Sequence, residues 1–156
     1  MEVRVLFWAQ MKKSYLLVVP VLLLLFTLWF YSQKPLGTRL TINNHTFSVE
    51  LALTDTQKAK GLGDRDSLPA ETGMLFPYDH PDRYTFWMKG MRFPLDFIWI
   101  NGNYVADITP DVPIAQNGQP LAIYQPKVPA DKIFEVKAGT VAEDGIKIGD
   151  SVKITD

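Results

Sequence analysis

From Ser14 to Gln33 the chain runs for 20 positions without a charged residue. A helix of that length reaches about 30 Å, one hydrocarbon thickness, so the run predicts a single transmembrane helix. Leu22-Leu23-Leu24-Leu25-Phe26 lies at its centre, where Leu and Phe favour insertion, and Trp29 and Tyr31 stand where an interfacial aromatic belt would hold them. Pro20 falls near the start, where a missing amide hydrogen matters little. Lys12 and Lys13 precede the run and are expected to stay in the cytoplasm, sending the rest of the chain outside. Cleaved export and a buried soluble helix are the competing readings. The residues leaving the run, Trp29-Phe30-Tyr31-Ser32-Gln33, are mostly bulky and form no small-residue cleavage pattern, which favours an uncleaved signal anchor. Gln10-Met11-Lys12-Lys13 leaves both Met1 and Met11 as candidate starts.

Beyond the run the balance of charge changes sign. Of 16 basic and 17 acidic residues, Arg4, Lys12, Lys13 and Glu2 lie in residues 1–33, leaving 13 and 16 in residues 34–156, a net -3. Such a segment has no surplus of cations to neutralise a phosphate backbone, so nucleic acid is not an expected partner. The absence of cysteine removes disulfide frameworks, thiolate metal sites and cysteine nucleophiles together.

Residues 34–156 read as strands. Leu40 and Ile42 point one way, Asn43-Asn44 turns, and Phe47, Val49, Leu51 and Leu53 continue at period two, a hairpin with one buried face. Thr54-Asp55-Thr56-Gln57 matches a capping box for a helix of about two turns, stopped by Gly61. Gly73-Met74-Leu75-Phe76 predicts a brief strand ended by Pro77, and residues 84–88 another. Phe97-Ile98-Trp99-Ile100 followed by Asn101-Gly102 predicts a hairpin returning over 104–108. A proline-rich loop spans 110–120, and strands are expected at 121–125, 132–137 and 151–154. The expected fold is mainly β: a compact antiparallel barrel or sandwich with one short helix, preceded by a single N-terminal transmembrane helix. The organisation is residues 1–33 as cytoplasmic start and anchor, 34–44 as linker and first strand, and 45–156 as an extracytoplasmic domain.

Four patches carry a resemblance: Gly61-Leu62 with Arg65 and Leu68, then Gly73-Met74-Leu75-Phe76, Phe86-Trp87-Met88-Lys89 and Pro94-Leu95-Asp96. In order and spacing they resemble the domain of unknown function 192, a prokaryotic family often found behind a signal sequence or anchor. The resemblance covers about residues 45–154, including Glu135 and the glycine-rich close. It implies a small, mainly β fold and no established activity. Gly63 stands where the family often has methionine or serine, and Gly90-Met91 where Asn-Thr is common; neither change removes a charged candidate.

Arg65, Trp87, Lys89 and Asp96 form the candidate ligand or structural cluster. Asp96 lies between Pro94-Leu95 and an apolar strand, where a carboxylate needs a partner or its pKa rises. Two roles are open to it: a general acid, base or ligand carboxylate, or the favoured one, a strut satisfied by arginine or by backbone amides. Strand alternation puts Trp87 and Lys89 on one face and Phe86 and Met88 on the other, with the latter pair expected in the core. Trp87 fits a ligand wall and a core position equally well. Asp79-His80-Pro81-Asp82 could hold zinc or calcium, but an exposed Asp- and Pro-rich turn explains it better, so no metal and no cofactor is expected. No Gly-x-Ser-x-Gly elbow or phosphate-cradling glycine loop occurs in the sequence. The expected function is a membrane-anchored extracytoplasmic binding or interaction module, contacting an envelope glycan, peptide or protein. The alternative is a hydrolase-like envelope enzyme using Asp96 with Arg65 or Lys89.

Overall fold

In the computed structural model, the described residues are 19–27, 37–116 and 118–156. Residues 19–27 are helical. Among the described residues no helix is long and apolar enough to cross a membrane, and the remainder of the expected span, 14–18 and 28–33, lies outside them. The unit from Gly37 to Asp156 has its own core. Its strands are β1 Arg39–Ile42, β2 His45–Leu51, β3 Thr72–Asp82, β4 Phe86–Trp87, β5 Leu95–Asn101, β6 Tyr104–Val112, β7 Ile123–Tyr124, β8 Ala130–Lys137 and β9 Val152–Thr155.

Seven of these form one sheet in the order β6-β5-β8-β3-β2-β1-β9, and β4 pairs with β7 in a separate two-stranded ribbon. The sheet curls until its edges meet at one corner. There Tyr104 bridges Ser151, and the Val105 and Val152 amides donate to the Asp150 and Asn103 carbonyls at 2.9 and 2.7 Å. The result is a half-barrel, mainly β as expected. The pairing is not wholly antiparallel, because β2 and β3 run parallel, with Leu51 beside Leu75. A parallel pair needs a crossover, and the segment between them supplies it through the helix Asp55–Lys60.

That helix has the expected caps. The Gln57 amide donates to the Thr54 hydroxyl at 3.2 Å, the Thr54 amide donates to Gln57 Oε1 at 2.9 Å, and the Gly61 amide closes the last turn on the Gln57 carbonyl. A second helical turn, Thr140–Glu143, was not expected from the sequence; it follows Gly139, whose positive φ starts it. Pro77 does not end its strand. β2 has already left β3 at Leu75, so one side of Pro77 has no ladder partner to satisfy, and β3 continues against β8 to Asp82 through an irregular register. The Asp79–Asp82 stretch is therefore the end of a strand and not a free turn.

The central strands are covered on both faces, which is why Leu95–Ile100 is buried at every position and does not alternate. Inside the curl lie Leu40, Phe47, Leu75, Ile98, Ile100, Phe134 and Val136. On the other face Met74, Phe76, Phe97, Trp99 and Ile133 pack under Leu62, Leu68, Phe86 and Met88. Gly73 is required on the curl side of β3: a Cβ there would come within 2.4 Å of the Phe134 ring.

Candidate functional site

Strand β8 carries one acidic residue in its buried stretch, Ile133-Phe134-Glu135-Val136. The pleat sends Phe134 and Val136 into the curl and Glu135 to the opposite face, in the row Met74–Glu135–Phe97 across β3, β8 and β5. Glu135 is 5% exposed and has no hydrogen-bond or ion-pair partner among the described residues. Burial alone pushes its carboxyl up to about 8. The carboxyl faces a pocket of about 260 Å³, which is why it tolerates having no protein partner.

Three elements build that pocket. Helix Asp55–Lys60 and its glycine cap form one wall, β3 contributes Phe76 and Tyr78, and the segment around β4 supplies Phe86, Trp87 and Lys89. Gly61, at φ +50°, lets the chain turn beside the acid: a Cβ there would sit 3.8 Å from Glu135 Oε2 and 3.5 Å from Phe76. Phe86 is held edge-to-face by Phe76 and Trp99, with ring centroids 5.1 and 5.6 Å away, so this aromatic wall is held in place. Tyr78 stacks on Tyr84 at 3.6 Å, and Lys58 Nζ lies 4.0 Å above the Tyr78 ring. Desolvation first, then the neighbouring Tyr84, Glu135 and Asp55, push the Tyr78 hydroxyl up to about 12, so it stays a neutral donor and acceptor.

The four residues singled out from the sequence do not form one cluster. Trp87 and Lys89 line this pocket; Trp87 is 42% exposed at its rim, whereas Phe86 and Met88 are buried as alternation predicts. Arg65 lies in a neighbouring open depression, paired with Glu50 through two hydrogen bonds of 2.6 and 2.7 Å. That pair lowers the Glu50 carboxyl and raises the Arg65 guanidinium. Arg92 pairs with Asp66. Asp96 is fully buried and sits in the row Gly73–Val136–Asp96, on the face opposite Glu135. It accepts from the Asp111 amide at 2.8 Å and the Val141 amide at 2.9 Å. Of the two kinds of partner expected for the strut, backbone amides hold Asp96, and arginine, as a correction, does not, since Arg65 is taken by Glu50. The pleat points Asp96 into the curl, while Arg65 sits on the exposed crossover.

Glu135, Tyr78 and Lys58 emerge as site residues only in the folded chain. A single acid inside an apolar strand was the available signal for Glu135, the same signal that marks Asp96.

Residues 38–154 match the family described as Uncharacterized ACR, the domain of unknown function 192. The chain belongs to that family. A solved structure of a protein of unknown function from Novosphingobium aromaticivorans DSM 12444 is 32% identical with a TM-score of 0.68, covering 74% of this chain and 83% of that one. Another, described as a putative transcription regulator from Sinorhizobium meliloti 1021, is 28% identical with a TM-score of 0.67, covering 74% of this chain and 90% of that one. No curated protein matches the chain. The family and both folds agree with the half-barrel and leave the activity open.

Proposed function

We propose that this member of the domain of unknown function 192 family is an extracytoplasmic binding module, held to the cell membrane by residues 14–33 as a single-pass anchor. It takes a small ligand, or the tip of an envelope glycan, peptide or protein, in the pocket over Glu135. The observation that carries this reading is a carboxyl buried in an aromatic pocket without a protein partner. Folding gains nothing from such a group, and proteins keep groups of that kind mainly at sites that use them. The hydrolase alternative through Asp96 draws no support from this arrangement, since both Asp96 oxygens are occupied by amides and turned away from Lys89. The role named for the Sinorhizobium relative is not carried over, because residues 34–156 hold a net -3.

Two measurements test the two halves of the proposal. For the anchor, protease added to spheroplasts should digest the domain, while the untreated membrane-bound form keeps its full mass. A soluble, shortened mature form would sink it. For the pocket, a chemically broad ligand panel should contain a class that raises the melting temperature of the 34–156 fragment. Ligand at one hundred times its dissociation constant adds about 2.7 kcal/mol. The rise should vanish in Ala59→Phe, which fills the pocket from its exposed wall. Equal shifts in both proteins, or none in either, would remove the pocket reading.

A further inference from the structure

The charges around the Glu135 pocket have a definite order from floor to mouth. At the floor is one carboxyl, 5% exposed and unpartnered. The walls are Phe76, Phe86, Tyr78 and Trp87. The remaining charged groups of the lining are Asp55, Lys58 and Lys60 from the helix and Lys89 after β4. None of these three lysines forms an ion pair among the described residues. Lys58 is held over the Tyr78 ring.

Each simple ligand class fails against part of this order. A plain anion would suit the three ammonium groups but bring its charge toward a desolvated acid. A plain cation would suit the acid and the aromatic faces, which attract ammonium groups. It would, however, have to pass the lysines, which outnumber Asp55. A neutral sugar would leave either the acid or the lysines uncompensated. A molecule with an amine at one end and an anion a few bonds away satisfies both layers. The amine donates to Glu135 and restores the partner the fold withholds, and the anion reaches the lysines. A pocket of about 260 Å³ limits the ligand to a small one.

We propose, resting on the pocket reading above, that this site recognises a small zwitterion, with its amine inward on Glu135 between the aromatic walls and its anionic end outward on Lys58, Lys60 and Lys89. The chemistry is shared by free amino acids and aminoalkyl phosphates and by the headgroup of an ethanolamine lipid. No covalent step is involved. The titratable and charged groups facing Glu135 are Asp55, Lys58 and Lys60 from the helix, Tyr78 from β3 and Lys89 beyond β4. An empty site holds its proton until about pH 8, and an ammonium ion must displace it. Binding should therefore release a proton and tighten as pH rises from 6 to 8.

Isothermal titration calorimetry on the full-length chain in uncharged maltoside micelles at pH 6, 7 and 8 tests this. The probes are ethanolamine phosphate, β-alanine and glycerophosphoethanolamine, with ethylamine and inorganic phosphate as the separate halves. At least one zwitterion should bind about tenfold or more tightly than either half, since each end contributes a charge-assisted hydrogen bond. Preference for glycerophosphoethanolamine would identify the lipid source, and preference for ethanolamine phosphate or β-alanine a soluble one. Glu135→Gln should weaken binding about tenfold or more and abolish the proton release, and Lys89→Ala should weaken it several-fold. Both variants should keep the parent's circular dichroism spectrum. Zwitterions that bind no better than their halves, or bind equally to Glu135→Gln, would overturn the proposal. If another ligand class then shifts the parent but not Ala59→Phe, only the zwitterion is lost. If none does, the pocket reading falls with it.

Discussion

Replacing Glu135 by glutamine is expected to make the 34–156 fragment more stable, by an amount that grows as pH rises from about 4.5 to about 8. The folded carboxyl keeps its proton to about 8, whereas an unfolded one loses it near its ordinary 4.5. Below the lower value both states are protonated and Glu135 carries no penalty. Between the two values the unfolded chain sheds a proton that the folded one retains, so the parent loses stability with rising pH; above about 8 the penalty is complete. Each unit of difference corresponds to about 1.4 kcal/mol. Allowing for water that enters the open pocket, the variant should lead by roughly 2–4 kcal/mol at pH 9 and by little at pH 4.5. Glutamine keeps the shape and can never ionise, so it isolates the charge. Denaturant titrations of both proteins at pH 4.5, 7 and 9 give the comparison. A gap that does not change with pH would mean the carboxyl is already solvated. A gain of the expected size would mark Glu135 as a residue held against stability, as functional groups commonly are.

The opposite sign is expected at Asp96. Its two oxygens accept from the Asp111 and Val141 amides, tying the end of β6 and the turn Thr140–Glu143 to the start of β5. Asparagine at this position can face only one of those amides with its oxygen. Its NH₂ then meets the other donor, and a buried amide is left without an acceptor. Losing one charge-assisted bond and orphaning one buried donor typically costs about 3–5 kcal/mol, a large part of a small domain's stability. Arg65 plays no part in this loss, because it is paired with Glu50. Asp96→Asn should shift the denaturant midpoint of the 34–156 fragment strongly downward at pH 7. A variant as stable as the parent would end the strut assignment and make Asp96 the leading functional residue. The two buried acids therefore make a matched pair of tests, one removing a strut and one removing a liability.

Local chemistry was enough for much of this molecule. The capping box at Thr54–Gln57, the turn after Asn101, the burial of Phe86 and Met88 and the family motifs all follow from neighbours a few residues apart. The 20-residue uncharged run carries the membrane proposal in the same way. The residues around Asp96 and Glu135 place each acid in an apolar strand, although Asp96 alone was singled out on that ground. Those residues could not show what each acid meets, because that depends on which strand lies alongside and which segment covers the face. Asp96 finds amides 15 and 45 positions away, brought together only when β6 and the Thr140–Glu143 turn dock at the same end of β5. Glu135, on the other side of the same sheet, meets a cavity because the parallel crossover between β2 and β3 lays a glycine-capped helix beside it and stops short of filling the space. Sequence determines that a carboxyl is buried, and sheet order together with the pleat decides whether it finds a partner or a pocket.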